Sequence, residues 1–206
     1  MIRIGITGII GSGKSTVSHM LNEEGLTVID LDQLAKEVSH TPEVKEEIRK
    51  TFGDGFITEE NALDVEKMRD TVFQDEKLLG KLEEIIHPRA LAEMERLVAL
   101  EREKGAAAVI IDIPLLIEKG LGRVVDKVVV VSADMDIIRG RLVKRGMIKE
   151  DIERRISHQI PLEEKEKAAD YVVCNNGTEE DLRKEVGILL EKIKTWEVKD
   201  TCILTN

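Results

Sequence analysis

A glycine-rich loop close to the first residue limits the possible folds of this 206-residue chain more than any other feature. Residues Gly8–Ser15 have the sequence G-I-I-G-S-G-K-S, after the apolar run Ile2–Thr7 and before a helical stretch at Thr16–Glu24. A strand, a loop of the form G-x-x-x-x-G-K-[ST] and a helix form the context in which this motif binds nucleotide phosphates. The glycines allow a tight turn that points several N–H groups at one anion, and the helix N-terminus adds its positive end. The motif predicts that the chain binds a nucleoside triphosphate.

Two side chains at the end of this loop are candidate ligands. Lys14 is expected to reach the β- and γ-phosphates, and the Ser15 hydroxyl is expected to bind Mg²⁺. The alternative is a glycine-rich turn that matches the motif by chance. The flanking strand and helix disfavour that alternative.

The charge balance argues against several classes of partner. Lys and Arg number 31 against 41 Asp and Glu, for a net charge of −10. Such an acidic chain is not expected to have nucleic acid or an anionic membrane surface as its main partner.

No run approaches the roughly 18 apolar residues of a membrane span, and no signal-peptide pattern precedes the first strand, so a cytoplasmic protein is expected. Cys174 and Cys202 lack a metal-ligand spacing and are interpreted as structural or incidental.

Five apolar runs rich in β-branched residues are separated by helical patterns. Near-continuous apolarity indicates strands buried on both faces, and therefore a parallel sheet covered by helices. Ligands bind such sheets at the carboxyl ends of the strands, which makes the polar residues there candidates for the site. The predicted strands are Ile2–Thr7, Leu26–Asp30, Ala106–Ile113, Val124–Ser132 and Asp170–Cys174. The strand-end candidates are Asp30, Asp32, Asp112 and Ser132.

The connection between the second and third predicted strands is far longer than one crossover helix needs. It spans about 75 residues and contains repeated helical patterns. We interpret it as an inserted helical subdomain that binds the acceptor of a reaction at the phosphate loop. The alternative is a stack of helices that completes the core. The predicted helices are Leu34–Ser39, Glu43–Phe52, Val65–Phe73 and Lys77–Lys104, the last broken at Pro88.

A basic segment follows the fourth predicted strand. Between Arg139 and Arg155, seven basic residues are opposed by three acidic ones, an excess of four positive charges in an acidic chain. Arg141 and Arg145 are four residues apart and therefore share one side of a helix. We predict a lid whose arginines neutralise a transferring phosphoryl group and exclude water. The alternative is a solvated helix face.

These patterns together predict one α/β domain with three parts, as expected for a chain of this length. The core is assigned to residues 1–40, 105–138 and 170–195. The helical insertion is assigned to about 41–104 and the lid to about 139–169.

The strand-end aspartates are candidates for acid–base and metal chemistry. Strand alternation places Asp30 and Asp32 on the same face, where two carboxylates can hold a hydroxyl acceptor and organise hydrated Mg²⁺. Asp32 is predicted to accept a hydrogen bond from the attacking hydroxyl and to take its proton late, because phosphoryl transfer has a loose transition state. The alternative is that Asp32 caps a helix beginning at Gln33. Asp112 is predicted to hold Mg²⁺ through water, or else to be a buried, satisfied strand-end residue.

Several features favour transfer of a phosphoryl group to a small molecule. The chain is short, has an insertion large enough for an acceptor, and contains the predicted lid, which keeps water from taking the phosphoryl group. No N-K-x-D guanine-binding motif is present, since Asn175–Thr178 have the sequence N-N-G-T. Two alternatives stay open: a kinase of nucleoside monophosphates or another small hydroxyl compound, and a nucleotide-dependent switch that recruits a protein.

Nine short motifs follow one another along the chain. They are T-G-I-I-G-S-G-K-S-T (Thr7–Thr16), V-I-D-L-D (Val28–Asp32), F-G (Phe52–Gly53), V-F (Val72–Phe73), I-I-H-P (Ile85–Pro88), D-I-P-L-L-I-E (Asp112–Glu118), R-L-V-K-R (Arg141–Arg145), R-I-S-H-Q (Arg155–Gln159) and N-N-G (Asn175–Gly177). In this order they resemble the dephospho-coenzyme A kinase family over nearly the whole chain. The phosphate loop is shared by many families, whereas D-x-D, H-P and P-L-L-x-E in succession are far more specific.

The resemblance implies ATP-dependent phosphorylation of the ribose 3′-hydroxyl of dephospho-CoA, with Mg²⁺, to give CoA and ADP in the last step of coenzyme A biosynthesis. It implies a three-layer α/β P-loop fold, in which a five-stranded parallel sheet carries an inserted helical CoA-binding subdomain and a lid. ATP and dephospho-CoA are the implied partners. The chain is expected to be a monomer or a small homo-oligomer.

The resemblance also implies roles by position. Asp32 matches the family's acceptor-activating aspartate, and Arg141 and Arg145 match its lid arginines. His87 matches the acceptor-domain H-P motif, although a histidine before proline is by itself expected at a helix boundary or in a core. Pro114 and Leu115 are expected to shape the acceptor wall, with Glu118 as an anchor of that loop. The implied catalytic residues are Asp32, Lys14 and Arg141, and the implied ATP-binding residues are Gly11, Ser12, Gly13, Lys14, Ser15, Thr16, Arg141 and Arg145.

Three positions depart from the family pattern. Ile9 stands where a second glycine is usual, and is expected to stiffen the loop entrance. Val65 stands where an arginine is usual, so one acceptor contact is expected to be missing. Ile138 stands where a glutamine is usual before the first lid arginine.

Overall fold

The computed structural model describes residues 1–58, 62–72 and 75–196. Within these ranges five strands and nine α-helices succeed one another, with two short 3₁₀ helices at Asp54–Phe56 and Leu121–Val124. The strands are β1 (Ile2–Gly8), β2 (Thr27–Asp30), β3 (Ala108–Asp112), β4 (Lys127–Ser132) and β5 (Tyr171–Cys174). The helices are α1 (Lys14–Glu23), α2 (Leu31–Ser39), α3 (Pro42–Phe52), α4 (Val65–Val72), α5 (Glu76–Glu103), α6 (Met135–Lys144), α7 (Lys149–Ser157), α8 (Leu162–Lys167) and α9 (Glu179–Lys194). Phe73 and Cys202, named in the sequence analysis, lie outside the described residues.

The strands form one parallel sheet in the order β2-β3-β1-β4-β5. In the register of the central strand, Ile4 lies opposite Ile110 on one side and Ile6 lies opposite Val129 on the other. Every residue of β3 is buried, as are all residues of β1 except Arg3. The five-stranded parallel sheet predicted from the apolar runs is therefore confirmed.

Four of the five predicted strands begin one to three residues earlier than the strands of the structure, and the difference is largest for β4. The segment Leu121–Val124, between β3 and β4, forms a 3₁₀ turn. The carboxylate of Asp126 then accepts a hydrogen bond from the N–H of Arg3 (2.8 Å). This polar contact precedes β4, so the apolar pattern predicted a strand several residues too long.

Helices α1 and α9 pack their apolar faces against the sheet. The core they share with β1 includes Ile4, Ile6, Val17, Leu21 and Leu189, all of them buried. Burying such a side chain contributes roughly 1.5–3 kcal/mol each. This core supports β1 and α1, the two elements that flank the glycine-rich loop.

The chain divides into two compact units. One comprises Met1–Ile29 and the chain from Glu101 onward, and the other comprises Asp30–Leu100. The second unit is helical, as its sequence patterns predicted, and has a core of its own. That core includes Val38, Val44, Ile48, Met68 and Ile85.

Helix α5 continues through Pro88 without a break. The predicted break at this residue is therefore wrong. Proline has no N–H to donate to the carbonyl of Glu84, four residues earlier. One turn along, the Arg89 side chain donates a hydrogen bond to the carbonyl of Ile85 (2.6 Å). Buried Ile85 and Ala90 flank the proline and hold the helix in place.

No helix in the described part of the chain combines the length and the apolar composition that a membrane span requires.

Replacing Pro88 with alanine is expected to stabilise the protein. The change restores an N–H donor for the Glu84 carbonyl, so the free energy of unfolding should rise by about 1–3 kcal/mol in denaturant titrations. Pro42→Ala is the matched control, because Pro42 lies in the first turn of α3, where its missing N–H costs little. An unchanged or lowered free energy of unfolding in Pro88→Ala would contradict the expectation.

Candidate active site

The loop between β1 and α1 has the geometry of a phosphate cradle. Gly11 and Gly13 have φ angles of 82° and 96°, in the left-handed region that favours glycine. The turn is closed by a hydrogen bond from the N–H of Ser12 to the carbonyl of Ile9 (3.1 Å). Helix α1 begins at Lys14, two residues before the predicted start, so its first two N–H groups, those of Lys14 and Ser15, lie within the motif. These donors and the positive end of α1 form an anion site.

Lys14 and Asp112 form an ion pair beneath the loop. The Lys14 Nζ contacts Oδ1 of Asp112, and the Ser18 hydroxyl donates a hydrogen bond to Oδ2 (2.8 Å). Asp112 is the last residue of β3 and is buried. Asp112 is therefore a buried carboxylate with satisfied partners, and it also lies beside the loop lysine, where a metal-bound water is expected. Both interpretations of Asp112 from the sequence stay open.

Arg141 reaches the loop from α6. Its Nη1 donates to the carbonyl of Ser12 (3.3 Å), and its Nη2 donates to the carbonyl and the side-chain oxygen of Asn175 (2.9 and 3.1 Å). Asn175, which follows β5 and is buried, donates its own amide to the Ser12 carbonyl (2.8 Å). Arg141 is thus held at the loop from two sides. Arg145, at the C-terminal end of α6, is exposed.

Asn175 was not predicted as a site residue. Its signal in the sequence was the N-N-G motif after the last strand, which sequence reasoning used only to exclude guanine binding and to support the family resemblance. A Cβ atom on Gly13 would lie 2.1 Å from Nδ2 of Asn175. Gly13 is therefore required both by its φ angle and by the close approach of this amide.

The entrance of the loop contacts α6 and the residues that follow α7. Ile9 is buried in an apolar cluster with Ala133, Ile138 and Leu142. Next to it, the N–H of Ile10 donates to the side chain of Gln159 (2.9 Å). The two departures from the family pattern at positions 9 and 138 thus lie in the same cluster.

The basic segment forms helices α6 and α7, which are joined by an ion pair. Arg139 of α6 contacts both carboxylate oxygens of Glu153 of α7 (2.7 and 3.2 Å). Arg154 pairs with Asp151 within α7. These two arginines are therefore engaged in ion pairs, and Arg141 is the arginine of this segment that contacts the loop.

Asp30 and Asp32 do not share a strand face. β2 ends at Asp30, and Asp32 lies in the first turn of α2, where it is exposed. The side chain of Asp30 accepts a hydrogen bond from the N–H of Gln33 (2.9 Å) and is the N-cap. The prediction from strand alternation is wrong because the helix starts between the two residues. The alternative cap is also wrong, since Asp30 caps the helix and Leu31 begins it.

The remaining predicted residues are spread over both units. His87 is exposed in the middle of α5, so it is neither a boundary nor a core residue. Val65 is exposed on α4. Leu115, in the turn after β3, is partly exposed, whereas the neighbouring Leu116 is fully buried. The Ser132 hydroxyl at the end of β4 donates to Glu166.

The first unit defines a class of protein. A backbone loop shaped to surround phosphates, reached by a lysine from α1 and an arginine from α6, places the chain among the P-loop nucleotide-binding phosphotransferases. A family model described as dephospho-CoA kinase matches residues 2–181. The chain belongs to the dephospho-CoA kinase family.

Similar proteins support the same family. A dephospho-CoA kinase from Aquifex aeolicus is 43% identical over 194 residues, which cover 94% of this chain and 98% of that protein. One from Geobacillus kaustophilus is 44% identical over 202 residues, covering 95% and 97%. A crystal structure from Thermus thermophilus has a TM-score of 0.79 at 35% identity, covering 93% and 97%. Dephospho-CoA kinase from Campylobacter jejuni shares the fold, with a TM-score of 0.69 at 24% identity, covering 93% and 96%.

The contact between α6 and α7 is expected to weaken in acid. The hydrogen bond from Arg139 lowers the pKa of Glu153 from its ordinary value of 4.5. A carboxylate with a lowered pKa in the folded state stabilises the protein above its ordinary pKa, and this contribution is lost as pH falls through the folded value. The free energy of unfolding lost in Glu153→Gln should therefore be largest near neutral pH and shrink below about pH 4.5, as measured by denaturant titrations at several pH values. Glu150→Gln on the same helix is the control, and an equal pH dependence in both variants would contradict this prediction.

Proposed function

We propose that this chain transfers the γ-phosphoryl group of ATP to the ribose 3′-hydroxyl of dephospho-CoA, giving CoA and ADP. The observation that supports the donor is the loop Gly8–Ser15, with its two left-handed glycines and Lys14 at the start of α1. The family match over residues 2–181 supports the acceptor and the reaction.

Lys14 is proposed to bind the β- and γ-phosphates. Its ammonium pairs with Asp112. A phosphate bound in the loop would replace Asp112 as the anionic partner of this ammonium. The N–H groups of the first turn of α1 bind the remaining phosphate oxygens. Because these donors are fixed by the backbone, they need little reorganisation as negative charge shifts during the transfer.

Ser15 and Asp112 fit a magnesium ion. Both carry oxygen donors, which Mg²⁺ prefers, and one or two protein ligands beside phosphates and waters suffice for this ion. The described residues contain no cluster of three or more His, Cys, Asp or Glu suited to a metal. Bound Mg²⁺ would neutralise charge on the β- and γ-phosphates. Since Asp112 is engaged by Lys14 and Ser18, we assign it an indirect contact through water.

Asp32 is proposed to orient the acceptor hydroxyl. An aspartate is a weak base toward an alcohol, but a loose transition state does not need early deprotonation. Asp32 lies at an exposed position in the first turn of α2. Its main contribution is then the direction of attack, with transfer of the proton late in the reaction.

Arg141 is proposed to stabilise charge on the nucleotide. Its guanidinium lies at the Ser12 carbonyl and is fixed there by Asn175, so it is already ordered at the loop. Arg145, exposed at the end of the same helix, is proposed to join the site when the segment of residues 139–169 acts as a lid.

The acceptor contacts are proposed from the family pattern. His87 and the helical segment of residues 41–104 are assigned to dephospho-CoA binding, together with Pro114 and Leu115. A cytoplasmic location, a monomeric or small oligomeric state and the absence of a nucleic-acid or membrane partner stay predictions from composition and resemblance.

An acceptor assay tests the proposed function. Purified protein with ATP and Mg²⁺ should form ADP at a rate that depends on dephospho-CoA and should phosphorylate its 3′-hydroxyl, as detected by mass spectrometry. AMP and CMP should be poorer acceptors by kcat/KM. Faster turnover of AMP or CMP would instead support a nucleoside-monophosphate kinase, and hydrolysis that is independent of any acceptor would support a switch.

The two neighbouring aspartates allow a matched test of the site. Asp32→Asn should lower kcat by about 100-fold or more, because the acceptor loses its orienting carboxylate, with the Kd for ATP changed less than about twofold. Asp30→Asn is the control, since asparagine also caps helices well and should leave kcat nearly unchanged. The reverse pattern, an active Asp32→Asn and an inactive Asp30→Asn, would move the role to Asp30.

A further inference from the structure

A completely buried lysine lies in the first unit, outside the phosphate loop. The side chain of Lys165, on α8, has 0% of its surface exposed. Its ammonium pairs with Oε1 of Glu118 (2.7 Å) and donates to the carbonyl of Pro114 (3.2 Å). Burying a charge is costly unless partners compensate for the lost water. Both partners of Lys165 belong to the turn that follows β3, so the ammonium connects α8 to that turn.

The carbonyl of Pro114 is held by two donors. The Thr7 hydroxyl donates to it (2.8 Å), as does the Lys165 ammonium. A carbonyl oxygen has two lone pairs, and these donors use both of them. Thr7 immediately precedes Gly8, the first residue of the phosphate loop. The position of Pro114 is therefore fixed relative to the start of that loop.

Glu118 depends on Lys165 at the other end of the turn. Its Oε1 accepts the ion pair and a long hydrogen bond from the N–H of Ile160 (3.4 Å). Its Oε2 is buried and has no hydrogen-bond partner within the described residues. Without Lys165, a largely buried carboxylate would keep only the contact with Ile160.

The turn has a third attachment between these two. Leu116 is fully buried above β1, where a Cβ atom on Gly5 would lie 2.9 Å from its Cδ2. Between the fixed points at Pro114, Leu116 and Glu118, Leu115 has an exposed apolar side chain. The turn therefore holds Leu115 in a fixed position. Lys165 makes two of the three contacts described, those at Pro114 and Glu118, and the packing of Leu116 is the third.

We propose that Lys165 is a positioning residue for the acceptor. It holds Pro114 and Leu115, the proposed acceptor wall, at a fixed distance from the phosphate loop, and it touches no substrate itself. This role rests on the proposed function of the chain. It explains why a buried ion pair, which apolar residues of similar volume often replace at no loss of stability, is present at this point.

Lys165→Met tests the role, because methionine fills much of the same space without a charge or a donor. The KM for dephospho-CoA should rise about tenfold, since acceptor contacts are sensitive to small displacements, while the KM for ATP should change less than about twofold. Lys167→Met, at an exposed position of the same helix, is the matched control and should match the wild type in both constants.

A double variant separates positioning from stability. Lys165→Met leaves the Glu118 carboxylate buried without its ion pair and should lower the unfolding midpoint. Adding Glu118→Gln removes that charge and should recover most of the midpoint. The KM for dephospho-CoA should stay raised in the double variant, because the Pro114 carbonyl still lacks its second donor. Recovery of this KM together with the midpoint would show a purely structural lysine and overturn the proposal.

Thr7→Val provides a test that keeps the ion pair intact. It removes the other donor to the Pro114 carbonyl and should raise the KM for dephospho-CoA in the same direction, even if Lys165→Met fails to fold. An unchanged KM in Thr7→Val and in every folded Lys165 variant would overturn the role of Lys165. A wild-type protein that does not turn over dephospho-CoA would instead contradict the proposed function itself.

Discussion

The conformation of Gly13 is the constraint on which the site depends. Its left-handed φ turns the chain from the loop into α1, so that the positive end of the helix lies at the loop. In the same turn, the carbonyl of the buried Ser12 accepts hydrogen bonds from Arg141 and from Asn175. A side chain at residue 13 would be strained and would strike the Asn175 amide. One backbone angle therefore aligns the anion site and also brings α6 and the end of β5 to it.

The sheet and the loop were predictable because both are local patterns. Apolar runs such as β3 reveal strands buried on both faces, and a motif of fixed spacing such as Gly8–Ser15 requires a turn into a helix. The D-x-D pair shows where local reasoning fails. The pattern did not show that the chain leaves the strand between Asp30 and Asp32. There the Asp30 side chain accepts a hydrogen bond from the N–H of Gln33 and caps α2, so the strand does not continue.

Contacts between distant residues could not be predicted from the sequence. Asn175 follows β5 and Arg141 lies in the last turn of α6. The fold brings both residues to Ser12, although they are more than 120 residues away from it in the chain. In the sequence, Lys165 lies within the charged run E-E-K-E-K, which gives no sign that it is buried. In the structure it is buried against the turn after β3. Lysine is almost never buried without a partner, so composition alone would have placed it in solvent.

The buried cluster that contains Ile9 and Ile138 couples substitutions at two positions that are far apart in the chain. If position 9 became glycine while Ile138 stayed, the cluster would contain a void; if position 138 became glutamine while Ile9 stayed, an amide would have to find a partner among methyl groups. Either change alone is therefore expected to lower the free energy of unfolding. The effects of substitutions at the two isoleucines are therefore coupled, although 129 positions separate them in the chain.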